Sequence, residues 1–275
     1  MKNNFNIPAF GWLMLSAICL TLVLGGLRFA LKKAGWERSR QQAIFRLATF
    51  GLLGWTSLLL VLSYHGFFDD FSQLPPKPAV AILVPLPFVL WFAFSKKGTY
   101  LLRSVPDHWL VYLQSFRIAV EILLLVAFAG GKLPVQMTFE GRNFDIITGL
   151  LALPVGYWLA TRKSFARKIA IAFNIAGLLL LLNILVIAVL SMPTPLRYFM
   201  NEPSNAIIAQ FPFILLPGFL VPLAYALHIF SLRRLFSTGT NRAKKANREA
   251  GEMVTSNELA VRAAAGYSKT SAHRL

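Results

Sequence analysis

Asp107, Gln114, Arg117 and Glu121 interrupt an apolar stretch running from 107 to 129. At about 100° per residue the four fall within roughly 80° of one another, so a helix presents them on one face. Arg117 and Glu121 are four residues apart and can pair along that helix. With a rise of about 1.5 Å per residue they lie about 12 and 18 Å beyond Trp109, close to the midplane of a bilayer. An isolated charge at that depth costs about 2.5–3.5 kcal/mol on the lenient insertion scale, so the face must turn inward. The chemistry on offer is proton or cation binding at Glu121, with Arg117 as its partner or as an anion-binding group and Gln114 beside them.

A second cluster lies in Glu140-Gly141-Arg142-Asn143-Phe144-Asp145. Asn143 can cap a following helix, and Asp145 favours the positive end of its macrodipole. Capping leaves Glu140 and Arg142 unexplained, and these two could bind a polar ligand or close a mouth. His65, Asp69 and Asp70 follow one another closely enough to offer a metal three ligands, although a solvated loop explains them better. His108 and His228 fall at similar depth in two apolar stretches, a spacing compatible with a haem clamp; an interfacial histidine with a backbone or lipid partner is the simpler account. Asn174 and Asn183, nine residues apart, point to different neighbours as packing hydrogen bonds. No Gly-x-Ser-x-Gly, His-Glu-x-x-His or P-loop pattern is present, and the sequence calls for no metal and no cofactor.

The elements that must hold these residues are membrane helices. Apolar residues make up 56% of the 275 and charged residues 14%. The charged share of soluble proteins is about 25%, so a soluble globule of this length could not cover its surface. Apolar runs able to span about 30 Å of hydrocarbon fall at 8–31, 43–64, 78–94, 109–129, 144–159, 169–190 and 206–232. They must be helices, because lipid leaves no water for unpaired backbone groups and alternating ten-residue strands are missing. The expected fold is all-α, a polytopic bundle of seven transmembrane helices over 1–236, with a basic tail at 237–275 expected to be disordered. The first run is too long, and lacks the small-x-small site, for a cleaved signal peptide.

Of the 28 lysines and arginines, 22 fall beside one set of helix ends or in the tail, and five on the opposite side. The positive-inside rule then puts the N-terminus outside and the C-terminus inside. The formal charge of +17 belongs to that inner face, where anionic headgroups attract each basic residue by about 1 kcal/mol. The lipid bilayer and its anionic headgroups are thus the expected partners, and nucleic acid is not. A retinal protein would need a lysine in 206–232, and none is there. Receptor-type Asp-Arg-Tyr and Asn-Pro-x-x-Tyr motifs are missing as well. Pro212, Pro217-Gly218 and Pro222 break the last run in a way that transporter sites also use.

Arg117-x-x-x-Glu121, the stretch from Met137 to Ile146, Phe211-Pro212-Phe213, Val221-Pro222 and His228 together resemble a family of uncharacterised bacterial multi-pass membrane proteins. The resemblance runs from about 117 to 235. It implies no activity, and it implies a bacterial cytoplasmic (inner) membrane. Two functions compete at this point. One is small-solute or proton handling, transporter-like or sensing, through Arg117, Glu121 and Gln114. The other is a membrane enzyme or assembly factor acting at the outer surface through His65, Asp69, Glu140, Arg142 and Asp145, beside a purely structural or interaction role. A buried cavity reaching Glu121 favours the first, and an outer cleft joining the last five residues favours the second.

Overall fold

The apolar runs become helices in the computed structural model, which describes residues 7–237. Among these no strand occurs, and the order is α1 (Ile7–Lys33), α2 (Arg38–Tyr64), α3 (Lys77–Leu83), α4 (Pro85–Phe94), α5 (Lys96–Ser104), α6 (Asp107–Tyr112), α7 (Phe116–Ala129), α8 (Asp145–Ala160), α9 (Ala166–Leu190) and α10 (221–237). Contacts divide the chain into Met1–Arg234 and Leu235–Leu275, and only 235–237 of the second unit are described. The tail expected at 237–275 thus lies outside the described residues from 238 onward.

Among the described residues six helices are long and apolar enough to cross a membrane: Ala9–Lys33, Arg38–Tyr64, Lys77–Phe94, Asp107–Ala129, Ala166–Leu190 and Leu216–Ser237. This set suits a multi-pass membrane protein. The fifth expected span is the shorter apolar helix α8, whose 16 residues rise about 24 Å. Its large side chains Leu150, Leu151, Leu153 and Tyr157 are exposed. The opposite face of α8 is narrow. Gly149, Ala152 and Gly156 lie buried one below another, and α8 packs through them on α6 and α7. A Cβ on Gly149 would come within 2.8 Å of Ile118, and one on Gly156 within 2.7 Å of the Tyr112 ring. Small residues let membrane helices approach closely. Here they bring the start of α8 level with the start of α7.

Three spans are not the uninterrupted helices expected. Pro85 and Pro87 lack the N–H groups a helix needs, and the third span breaks at Val84. The fourth is tightened by a 3-10 turn at Leu113–Ser115. The seventh was expected from 206, but 206–214 form turns and the short 3-10 helix Ile207–Ala209, because Pro212 and Pro217 prevent a regular ladder there. Helix resumes through a π turn at Leu216–Leu220. Pro222 cannot donate to the carbonyl of Gly218, and Trp55 Nε1 from α2 donates to it instead at 2.8 Å.

The connections group at two ends. Gln136 donates to Ser191 Oγ (2.9 Å), Asn201 to Gln136 Oε1 (2.8 Å), Asn183 to the Arg142 carbonyl (3.0 Å) and Ser63 to the Ala209 carbonyl (2.6 Å). These bonds tie the end of α2 to the 130–144 and 191–215 loops at what we term the loop end. At the opposite end Tyr100 donates to the Ala34 carbonyl (3.0 Å), Arg233 to the Ala93 carbonyl (3.2 Å), and Arg234 pairs with Asp107. Asp107 therefore leaves the polar face expected for it. The main core joins Trp12 of α1 to Leu124 of α7, Leu181 of α9 and Leu220 of the π turn.

Candidate functional site

Arg117 and Glu121 lie on the buried face of α7 together with Phe116, Val120 and Leu124, and are 2% and 1% exposed. Their expected pairing with each other is not what the structure shows. Arg117 Nη2 forms its ion pair with Asp145 at the start of α8. Glu121 Oε1 instead accepts from Asn143 Nδ2 at 2.6 Å. The reason is helix approach: the small face of α8 lets Asp145 reach the guanidinium from across the helix pair, and the neighbouring amide occupies the glutamate. Asn143 also donates to the Met137 carbonyl (3.0 Å) and accepts from the Asp145 N–H (3.1 Å). It lies one residue before the N-cap, Phe144, rather than at the expected capping position, and it holds the first amide of α8 and Glu121 together.

Arg117 Nη1 has a further partner, His228 Nε2 of α10, at 3.1 Å. Guanidinium only donates, so Nε2 must accept and the ring proton must sit on Nδ1. That proton goes to Asn174 Oδ1 of α9 at 2.9 Å. Asn174 Nδ2 in turn donates to Ser231 Oγ (2.9 Å) and to the Ala170 carbonyl (2.6 Å). Gly177 makes room for the imidazole, since a Cβ there would collide with it. A single chain of polar contacts thus links Ser231, Asn174, His228, Arg117 and Asp145, and Asn143 carries it on to Glu121. Near this chain Glu121 Oε2, Arg117 Nε and Gln114 Oε1 are buried without a hydrogen-bond partner, as are Trp12 Nε1, Ser16 Oγ and Asn205 Oδ1 elsewhere. Gln114 is fully buried in the 3-10 turn and donates to the Ala224 carbonyl at 3.1 Å, apart from the Arg117 cluster.

A cavity of about 400 Å³ has Arg117, Glu121, Asn143 and Asp145 in its lining. Leu74, Pro75 and Leu196 of the loop end contribute to the same cavity, and Ile82, Leu181 and Leu220 wall it with hydrocarbon.

The five residues considered for an outer site do not assemble. Asp145 turns inward to Arg117. Arg142 lies over the Phe199 ring, 5.2 Å from its centroid, and Glu140 is exposed. His65 sits edge-on to Tyr64 at 5.5 Å, and Asp69 is exposed beside Gly66. Among the described residues no three His, Cys, Asp or Glu side chains gather closely enough to hold a metal ion. A second pocket, of about 380 Å³, is lined by Lys132, Glu202 and Gln210 and by none of the five. Asp70 is engaged locally: it accepts from Ser72 Oγ (2.6 Å) and N (3.0 Å) and pairs with Lys77 (3.2 Å). The Ser72 hydrogen bonds, with help from Lys77, hold its carboxyl down at about 2.

His228, Asn174, Asn143 and Ser231 are the members of the network that sequence reasoning left out of the site. Asn174-x-x-Gly177 carried a signal, a polar residue one turn from a gap on the same helix face. Asp145, with Gly149, Ala152 and Gly156 on the same face of α8, carried another.

A family model described as a domain of unknown function (DUF8737) matches residues 78–236. The chain belongs to this family. The matched segment contains every member of the polar network, from Arg117 to Ser231, and excludes α1, α2, His65 and Asp69. No curated protein matches the chain. No solved structure matches it either.

Proposed function

We propose that this protein handles protons or a small solute, as a transporter or a sensor, through Glu121 at the floor of the buried cavity. One observation carries the reading: the cavity lined by Leu74 and Leu196 at the loop end also includes Glu121 and Arg117 in its lining. Glu121 keeps one buried oxygen without a protein partner, and intramembrane carboxylates of this kind are where pumps and transporters exchange protons. Arg117 acts as a fixed positive group that Asp145 balances and His228 steadies. Asn143 positions Glu121.

The reading extends to placement. Seven spans, with α8 as the short fifth one, put the N-terminus outside and the C-terminus inside a bacterial cytoplasmic membrane. The 22 basic residues at one set of helix ends and in the tail support that orientation, and they face anionic headgroups.

Reconstitution into vesicles tests the function. Under an imposed pH gradient, an entrapped pH dye should report faster proton equilibration with wild-type protein than with Glu121→Gln. Equal rates for wild type, Glu121→Gln and protein-free vesicles, with both proteins shown to be folded, would overturn it.

A further inference from the structure

The floor and the walls of the cavity ask for different things. Arg117 brings one positive charge, and Asp145 and Glu121 bring two negative ones. Asp145 is matched by Arg117. Glu121 receives only the neutral Asn143 amide, and its Oε2 receives nothing. In surroundings this buried and apolar the remaining charge must be closed by a proton or by a positive group of the occupant. A hydrated metal ion is a poor candidate, because Ca²⁺ needs about 6–8 oxygens and Mg²⁺ keeps its waters, whereas the lining brings only the carboxylates of Glu121 and Asp145, the second already paired with Arg117. An anion would meet the Glu121 carboxylate with the wrong sign. The walls, by contrast, are hydrocarbon from Leu74 to Leu220. They favour an apolar body, and about 400 Å³ is in the range of small-molecule sites.

Resting on the proposed role of Glu121 above, we infer that the cavity takes a lipophilic amine: a hydrocarbon body along the walls and one ammonium group pairing with the Glu121 carboxylate. The exchange balances. A protonated Glu121 gives up its proton as the ammonium arrives, so carboxylic acid and free cation become carboxylate–ammonium pair and one released proton. The cation leaves when a proton returns.

Three probes with one body and different heads test this: 4-phenylbutylamine, 4-phenylbutanol and 4-phenylbutyrate. Binding to the detergent-purified full chain is followed by the shift in unfolding temperature, and proton release by a pH indicator in weak buffer. The amine should bind saturably, at least about tenfold tighter than the alcohol, and release close to one proton per molecule bound; the butyrate should not bind. Glu121→Gln should lose that preference and the proton release. Ala188→Phe, which fills the cavity away from the charges, should abolish binding of the amine with Glu121 intact, and it serves where Glu121→Gln fails to fold. Equal or tighter binding of the butyrate overturns the inference, as does amine binding without proton release or amine binding undiminished by Ala188→Phe. If the amine fails while Glu121→Gln still slows proton flux in vesicles, only the ligand class is wrong. If that flux is also unchanged, the role of Glu121 falls with it.

Discussion

Arg117 is the residue on which the site turns, because two neighbouring helices supply its partners, Asp145 from α8 and His228 from α10. Removing Asp145 strands a guanidinium at 2% exposure, and breaking a buried pair from one side costs about 3–5 kcal/mol. Asp145→Asn and Arg117→Gln should each lower stability by that order, and the double substitution should recover much of the loss. Unfolding in mixed detergent gives the cycle: the coupling should reach at least about 1 kcal/mol for Arg117 with Asp145 and be smaller for Arg117 with Glu121. A larger coupling for the second pair would contradict the observed partnership. At the surface, Asp70 makes a milder prediction. Its carboxyl is held at about 2, below the unfolded value. The loop's support is therefore complete above about pH 4 and is lost as pH falls through about 2. Ser72→Ala should move the midpoint, read by NMR, up toward the ordinary carboxylate range. A midpoint already ordinary in the wild type would refute the assignment.

At the scale of elements, close approach and irregular turns decide which residues meet. Gly149→Leu should push α8 away from α7 and separate Asp145 from Arg117, at a cost of about 1–3 kcal/mol or more. A thermal-melt comparison checks this, and an unperturbed melt would show that α8 is not held where it lies. Trp55 and Pro222 form a coupled pair of another kind. Trp55→Phe leaves the Gly218 carbonyl without its donor and should cost about 1–3 kcal/mol. In a Pro222→Ala background residue 222 regains an N–H, and the same substitution should cost less; equal costs in both backgrounds would mean that Trp55 acts only by packing.

These elements also mark what the sequence could disclose. The charged face of α7 was legible because it depends on one helix and its 3.6-residue period. The partner of Arg117 was not, since an i,i+4 carboxylate on α7 and a carboxylate on a neighbouring helix are both plausible until helix separation is known. The aim of His228 was hidden further. A π turn inserts an extra residue into the ladder, so projection from a straight helix starting at 206 points the imidazole to the wrong neighbour. Asn174 and Asn183 meet different neighbours, as expected, because nine residues, or about two and a half turns, put them on opposite faces without any tertiary information.

At the scale of the whole molecule, the distribution of basic residues sets the expected topology. A reporter active only in the cytoplasm should be active when fused after 237 and silent when fused within 66–77 or 192–205. Activity at either internal position would invert the orientation proposed for the bundle.

The polar chain from Arg117 to Ser231 carries one more consequence. Every donor along it points the same way: Arg117 to His228, His228 to Asn174, Asn174 to Ser231. A relay that hands protons on must let each member accept on one side and release on the other, and neither a guanidinium nor a carboxamide does so readily at neutral pH. The chain is therefore an insulator rather than a wire. It runs from the cavity lining at Arg117 toward the end where Arg233 and Asp107 lie, so in this conformation these side chains give Glu121 no proton path toward that end. Traffic to the other side requires a second conformation in which His228 and Arg117 part, and a sensor would need no such state.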